Sequence, residues 1–414
     1  MANTLKFGNS EWYGSEGNIL AYNDENGNFK PLPFDFSRGS SATRVNQQGL
    51  IETVGADQPR IDYLNDSNGA LLLEPSRTNS EPYSEEFSNA GWVKTNATIT
   101  SNIVISPDGS LNATKIEVTS SGGNIFDPIG GTGDYVFSLF VKYVDTQYVR
   151  LRSTASYAFF DIKNGSVGGT VNVLDSKIEN YGNGWYRCSV VGNNTNSLIQ
   201  LFLSDSATSV TGTGSAYIWG AQLEQGSYAT SYIPTSGSSV TRAAETATRA
   251  GTSDDFNDSE GVLYAEISSL AAGDIYRIIT INDGSSRNSV LIGLRGDTGN
   301  IFCSLYVNGS ESPLFVSTIL PLNISTKIAL KYKVNDFSVT INGFKLYEDT
   351  TVSTFPSGTL SNLDLMRGNV TLPFYGKTKE VSVFKTALTD SELEALTSWD
   401  SFSDMATGQE YTIR

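Results

Sequence analysis

The chain is predicted to be all-β, with two antiparallel jelly-roll β-sandwiches in series behind an N-terminal β- and turn-rich region. Three observations predict this. Short apolar runs alternate with polar residues at a period of two along most of the chain. Turn-forming pairs such as Asn164-Gly165, Asn183-Gly184 and Asn342-Gly343 separate those runs. The 414 residues include 39 Gly, 20 Tyr and 20 Phe, a composition suited to many short aromatic strands joined by tight turns. A chain of this length exceeds one ordinary core and divides into two or three domains.

Residues 1–80 hold short apolar patches broken by turn formers. Asn26-Gly27, between Leu20-Ala21-Tyr22 and Phe29, predicts a tight hairpin. The region has too few apolar residues for a core of its own, so it is expected to fold against the next domain or a symmetry mate. Its arginines Arg38, Arg44, Arg60 and Arg77 are dense for so acidic a protein. They fit either subunit contacts, where guanidinium forks meet carboxylates, or solvated turns.

Residues 81–242 read as the first sandwich. Tyr135, Phe137, Leu139, Val141 and Tyr143 form its clearest alternating stripe, and Val149 and Leu151 oppose Tyr148, Arg150 and Arg152. Further strands are expected at 158–162, 185–191, 198–203 and 217–223. Residues 243–250 (AAETATRA) read as a linker. Residues 251–398 read as a second sandwich, complete without upstream partners. There Ile275, Arg277, Ile279 and Ile281 alternate, as do Ile328, Leu330, Tyr332 and Val334. Phe337, Val339 and Ile341 run into Asn342-Gly343, a type I′ hairpin signal, and 344–347 returns. After a last strand through Val381 and Val383, Thr389 with Glu392 forms a capping box that opens a short helix. The tail, 399–414, shows no periodicity.

Composition excludes several function classes. The formal charge of −16 repels phosphate backbones and anionic bilayers, so nucleic acid is not an expected partner. No stretch approaches the ~20 apolar residues of a membrane span, and no basic-then-apolar leader opens the sequence, so neither membrane insertion nor a secretory signal is expected. With no histidine, Ser-His-Asp and Cys-His catalysis and His-ligated zinc are excluded. Any hydrolase chemistry would use a carboxylate pair, and no spacing announces one. The chain is therefore expected not to be an enzyme. Cys188 and Cys303 share strand faces with apolar neighbours and read as separate core residues, not as a disulfide or metal pair.

Two groups of residues invite a ligand. Tyr148, Arg150 and Arg152 share one strand face opposite Val149 and Leu151. If the apolar face is core, they make an outward strip suited to stacking on sugar C–H surfaces and gripping hydroxyls. The same strip also suits a trimer or domain interface. Asp254, Asp255 and Asp258, with Asp108 in a Pro-Asp-Gly turn, are the candidate calcium ligands, against a reading as solvated acidic turns. Calcium is the one cofactor the sequence admits. Trp185, Tyr186 and Trp219 read as core aromatics.

Several motifs occur in order: SRGSSATRVNQQGLI at 37–51, PRIDY at 59–63, LLLEPSRTN at 71–79, YSEEFSNAGW at 83–92, GNGWYRC at 182–188, IWGAQLE at 218–224, SYIPT at 231–235 and TR at 241–242. Together they resemble appendage proteins of tailed-phage virions, head or tail fibres or spikes with carbohydrate-binding-like sandwiches, over roughly residues 1–245. The VTINGFKLY hairpin at 339–347 and the ending at 375–397 resemble concanavalin/laminin-G-like lectin domains. The resemblance implies a virion location, displayed on the particle exterior after assembly in the host cytoplasm. It implies attachment to other virion structural proteins through residues 1–80, adhesion to a host-surface glycan, and a homotrimer with Arg38, Arg44 and Arg60 at its interface. The alternatives are a structural decoration protein whose sandwiches bind only other proteins, and a carboxylate-dependent glycan depolymerase.

Overall fold

The computed structural model describes residues 3–6, 34–129, 132–194, 198–271, 275–296, 298–319 and 324–401. The hairpin expected at Asn26-Gly27 and most of the tail lie outside them.

The first sandwich comprises two six-stranded antiparallel sheets. One runs Asp175–Asn180, Trp185–Asn194, Gly133–Tyr143, Gly214–Gln225, Ala113–Val118 and Ala97–Val104 in spatial order. The other runs Ser166–Val171, Ser156–Asp161, Tyr148–Ser153, Ile199–Ser204, Asn124–Asp127 and Val93–Thr95. Alternation dictates what lies between them. Phe137, Leu139 and Val141 meet Val149, Leu151, Phe160, Leu201 and Leu203 in a single core that also buries Cys188.

The second sandwich differs from its sequence reading. Its larger sheet orders Phe344–Asp349, Phe337–Ile341, Thr326–Lys333, Glu260–Ser269, Gly376–Phe384, Ala70–Leu73 and Arg60–Asp62. N-terminal strands thus complete a sheet whose remaining strands all follow residue 259, with Leu71 opposite Thr378 and Leu73 opposite Gly376. Asn3–Lys6 pairs along the same strand, Asn3 opposite Val383. Ile61, Leu71 and Leu73 join the core that includes Leu263, Ile292, Leu330 and Val381. The expectation that 251–398 is complete on its own is corrected. The apolar residues of 60–73, too few for an independent core, are buried here.

The first sandwich is consequently an insertion in the second. Its two ends lie together, Arg77–Asn79 pairing with Val240–Arg242. The expected linker is also corrected. Asp35–Ser37 pairs with Thr246–Thr248, Ala247 and Ala250 are buried in the second core, and Ala250 exchanges backbone hydrogen bonds with Leu363.

Several local expectations hold. Asn342 and Gly343 adopt φ of 48° and 84°, the doubly left-handed geometry of a type I′ turn. Thr389 and Glu392 form the capping box of the Asp390–Thr397 helix. Ile275 is an exception, exposed and ahead of the Arg277–Asn282 strand. Among the described residues no helix is long and apolar enough to cross a membrane.

Candidate ligand-binding face

The Tyr148–Ser153 strand sits inside the second sheet of the first sandwich. Val149 and Leu151 point into the core, so Tyr148, Arg150 and Arg152 face outward, half-buried. Register supplies their neighbours. Arg150 lies between Phe159 and Phe202, Arg152 between Tyr157 and Gln200, and Tyr148 between Asp161 and Ser204. One strand further, Asn124 stands opposite Phe202, and Phe126 opposite Gln200. The face therefore has a polar middle and an aromatic surround.

One end of the face is walled. The chain following Ser204 folds back over the sheet, where Gly169 donates its N–H to the Ala207 carbonyl at 2.9 Å and Gly122 donates to that of Val210 at 3.2 Å. A Cβ at Gly169 would stand 2.9 Å from the Ala207 oxygen, so the close approach requires glycine there. Phe159 and Phe202 are buried as the floor of the face, while Tyr148, Tyr157 and Phe126 remain partly accessible.

The polar groups are ordered with one exception. Arg152 donates to the Thr154 carbonyl and, at 3.3 Å, to Gln200 Oε1; Gln200 Nε2 donates to Asn124 Oδ1 at 2.9 Å. Asp161 accepts from Gln147 at 2.8 Å and from Asn164 at 2.9 Å, bonds that hold its carboxyl below the ordinary range despite burial. Arg150 has no such partner among the described residues. Its guanidinium carbon lies 4.0 Å from the Phe202 ring centroid and 4.8 Å from that of Tyr157, and its Nε is buried without an acceptor. Burial, with the charge of Arg152, pulls it down to about 10.

The other sequence-predicted residues go elsewhere. Arg38 and Arg60 are fully buried within one chain, which corrects their reading as subunit contacts. Arg38 Nη1 meets Glu245 Oε1 at 2.7 Å, and Arg60 meets Glu74 at 2.9 Å and also Glu245. Arg242 joins them through Glu74 at 2.9 Å. Arg44, partly exposed, pairs with Glu52 at 2.7 Å. Desolvation pulls Arg38 down, whereas for Arg60 the attraction of Glu245 and Glu74 outweighs it and the group is raised. Ser231 donates its N–H and hydroxyl to Glu74, and Asn79 bonds the carbonyls of Ala221 and Ile233. Residues of the motifs at 37–51, 59–63, 71–79, 218–224, 231–235 and 241–242 thus converge on the joint between the sandwiches. There they tie the two sandwiches together.

The aspartates do not converge. Asp255 completes a capping box with the N-cap residue Thr252, accepting from its N–H at 2.8 Å and its hydroxyl at 3.1 Å. Asp258 accepts the N–H groups of Gly358 and Leu360 at 2.6 and 2.7 Å, and Asp254 is exposed. The candidate calcium cluster is corrected to two separate turn-forming carboxylates and a surface residue, and the described residues hold no group of three or more acidic or thiol ligands.

A cleft of about 450 Å³ opens between the sandwiches, but its lysines are paired within its own wall. Lys377 pairs with Asp62 at 2.8 Å, Lys379 with Asp66 at 2.9 Å and Lys177 with Glu179 at 2.6 Å. The outer face, whose Arg150 meets two aromatic rings but no carboxylate among the described residues, is the better candidate ligand site. Sequence reading named the central strand of this face, Tyr148, Arg150 and Arg152. It missed Tyr157, Gln200, Phe202 and Asn124, which other strands bring alongside; the alternation of Tyr157 and Phe159 against Ala158 and Phe160 was the available signal.

No protein-family model matches the chain, and no curated protein matches it. Among solved structures it is similar to the CBM40 of Ruminococcus gnavus IT-sialidase bound to alpha2,3 sialyllactose, at 17% identity over 34% of this chain and 84% of that one, TM-score 0.30. Domain 4 of AbnA, a GH43 extracellular arabinanase from Geobacillus stearothermophilus, in complex with arabinotriose, matches at 15% identity over 42% and 84%, TM-score 0.31. The SAP-like pentraxin of Limulus polyphemus matches at 13% identity over 37% and 76%, TM-score 0.30. Likenesses of this size carry no argument about a ligand.

Proposed function

We propose that the protein is a non-enzymatic glycan-binding subunit of a tailed-phage virion, displayed on the particle exterior, and that it adheres through the outer face of the Tyr148–Ser153 sheet. The observation that carries this reading is the composition of that face. Partly accessible Tyr148, Tyr157 and Phe126 surround the ordered Arg152–Gln200–Asn124 row, beneath a wall built by the chain after Ser204. Aromatic rings stack on pyranose C–H surfaces, and a fixed donor–acceptor row selects hydroxyl geometry. Weak single contacts gain strength from copy number on a particle.

A glycan array probed with the full chain tests this. Tyr157→Ala is expected to abolish the signal, whereas Phe344→Ala, on the distal hairpin, leaves it intact. Binding to no glycan, or unchanged binding by Tyr157→Ala, refutes the reading. The structural-protein alternative draws on a different observation: Phe344 and Leu346 are exposed on an edge strand, where apolar side chains invite a neighbouring subunit. Loss of self-association in Phe344→Asp, measured by sedimentation, supports that role.

A further inference from the structure

We propose that this face recognises an acidic saccharide, with Arg150 receiving the ligand's carboxylate; the inference rests on the glycan-binding reading above.

Arg150 differs from the buried arginines around the joint in the partner its charge meets, although Arg187 and Arg242 share its buried Nε without an acceptor. Arg38, Arg60 and Arg242 each meet a buried carboxylate, and Arg187 donates to the Thr230 carbonyl at 2.6 Å. Arg150 instead packs over the ring faces of Tyr157 and Phe202, and no carboxylate pairs with it among the described residues. Ring contact stabilises the cation but supplies no acceptor to its buried Nε–H, and among the described residues the half-buried guanidinium forms no ion pair of its own. A partly desolvated charge without a counter-charge costs stability, and an incoming anion offsets that cost.

The shape of the donor narrows the anion. A guanidinium is a planar fork matched to the two oxygens of a carboxylate, and two parallel charge-assisted bonds fix orientation as well as energy. The surroundings add to this. Arg152 places a second positive charge beside it, held by Gln200 and the Thr154 carbonyl. The nearest acid in the register, Asp161, lies beside Tyr148 and is engaged by Gln147 and Asn164. Adjacent cations on an outer face of a chain with net charge −16 form a local field of the opposite sign to the molecule. Burial lowers Arg150 only to about 10, so it stays protonated at neutral pH.

The test uses the full chain and a panel of polygalacturonate, alginate, hyaluronan and polysialic acid, each paired with its carboxyl-reduced form, by biolayer interferometry. At least one acidic polymer is expected to bind about tenfold or more tightly than its reduced form. Binding should weaken as salt rises from about 50 to about 300 mM. Arg150→Gln is expected to lose the preference, and Arg150→Lys, which keeps the charge but not the fork, to lose most of it. Thermal melts confirm that both variants are folded. Equal binding of acidic and reduced forms, or a preference retained by Arg150→Gln, overturns the acidic-ligand inference while leaving glycan binding in place. Binding to neither form of any polymer overturns the inference, and silence across the glycan array as well overturns the reading beneath it.

Discussion

Glu81 opens the first sandwich with a carboxylate that has been removed from water and only half satisfied. Its Oε1 accepts the Tyr83 N–H at 2.8 Å, while Oε2 is buried with no partner among the described residues, and the residue is 0% exposed. Burial, reinforced by the charge of Asp127 and only partly countered by the Tyr83 N–H, pushes it up to about 8 from its ordinary value of 4.5. Native Glu81 therefore keeps its proton at pH 7, where the unfolded chain has released it. A state that binds more protons when folded loses stability as pH rises, here between the unfolded and folded values. At pH 7, some 2.5 units above the ordinary value, holding that proton costs about 3 kcal/mol. Glu81→Gln keeps the Oε1 acceptor and removes the titration. The variant should match the wild type near pH 4.5 and exceed it by about 3 kcal/mol at pH 7, with the gap levelling off above pH 8. Urea melts across this range, following the transition of the first sandwich, measure the gap. Stability curves that run parallel in pH would refute the assignment of a buried, protonated Glu81.

Other expectations follow from the same geometry. Glu245→Ala leaves Arg38 and Arg60 buried without a shared carboxylate and should destabilise the joint by about 3–5 kcal/mol, detectable as an early calorimetric transition. A fragment of residues 251–398 lacks Arg60–Asp62 and Ala70–Leu73, so it should aggregate, while one of residues 80–239 should melt cooperatively. A soluble, cooperatively melting 251–398 fragment would contradict the observed sheet order. Cys188 and Cys303 are fully buried, and burial raises both thiols, so native protein should resist a thiol reagent that labels both sites in urea.

Period-two alternation determined much of this protein from sequence alone. A strand's side chains alternate whatever it pairs with, so Val149 and Leu151 identified themselves as core and Arg150 as outward-facing. The Asn342-Gly343 turn and the Thr389 cap were legible for the same reason, since each is decided within a few residues. Alternation does not say which strands become neighbours. Pairing Ala70–Leu73 with Gly376–Phe384 is a contact across some three hundred positions, fixed by where a poorly apolar segment finds a core to complete. That tertiary choice decided the domain boundaries. It turned Arg38 and Arg60 from candidate subunit contacts into the buried joint with Glu74 and Glu245. It also placed Tyr157 and Phe202 against Arg150, because side chains from three strands share a face only once register is set. Sequence marked the direction in which each residue points, and only the folded chain determined what it meets.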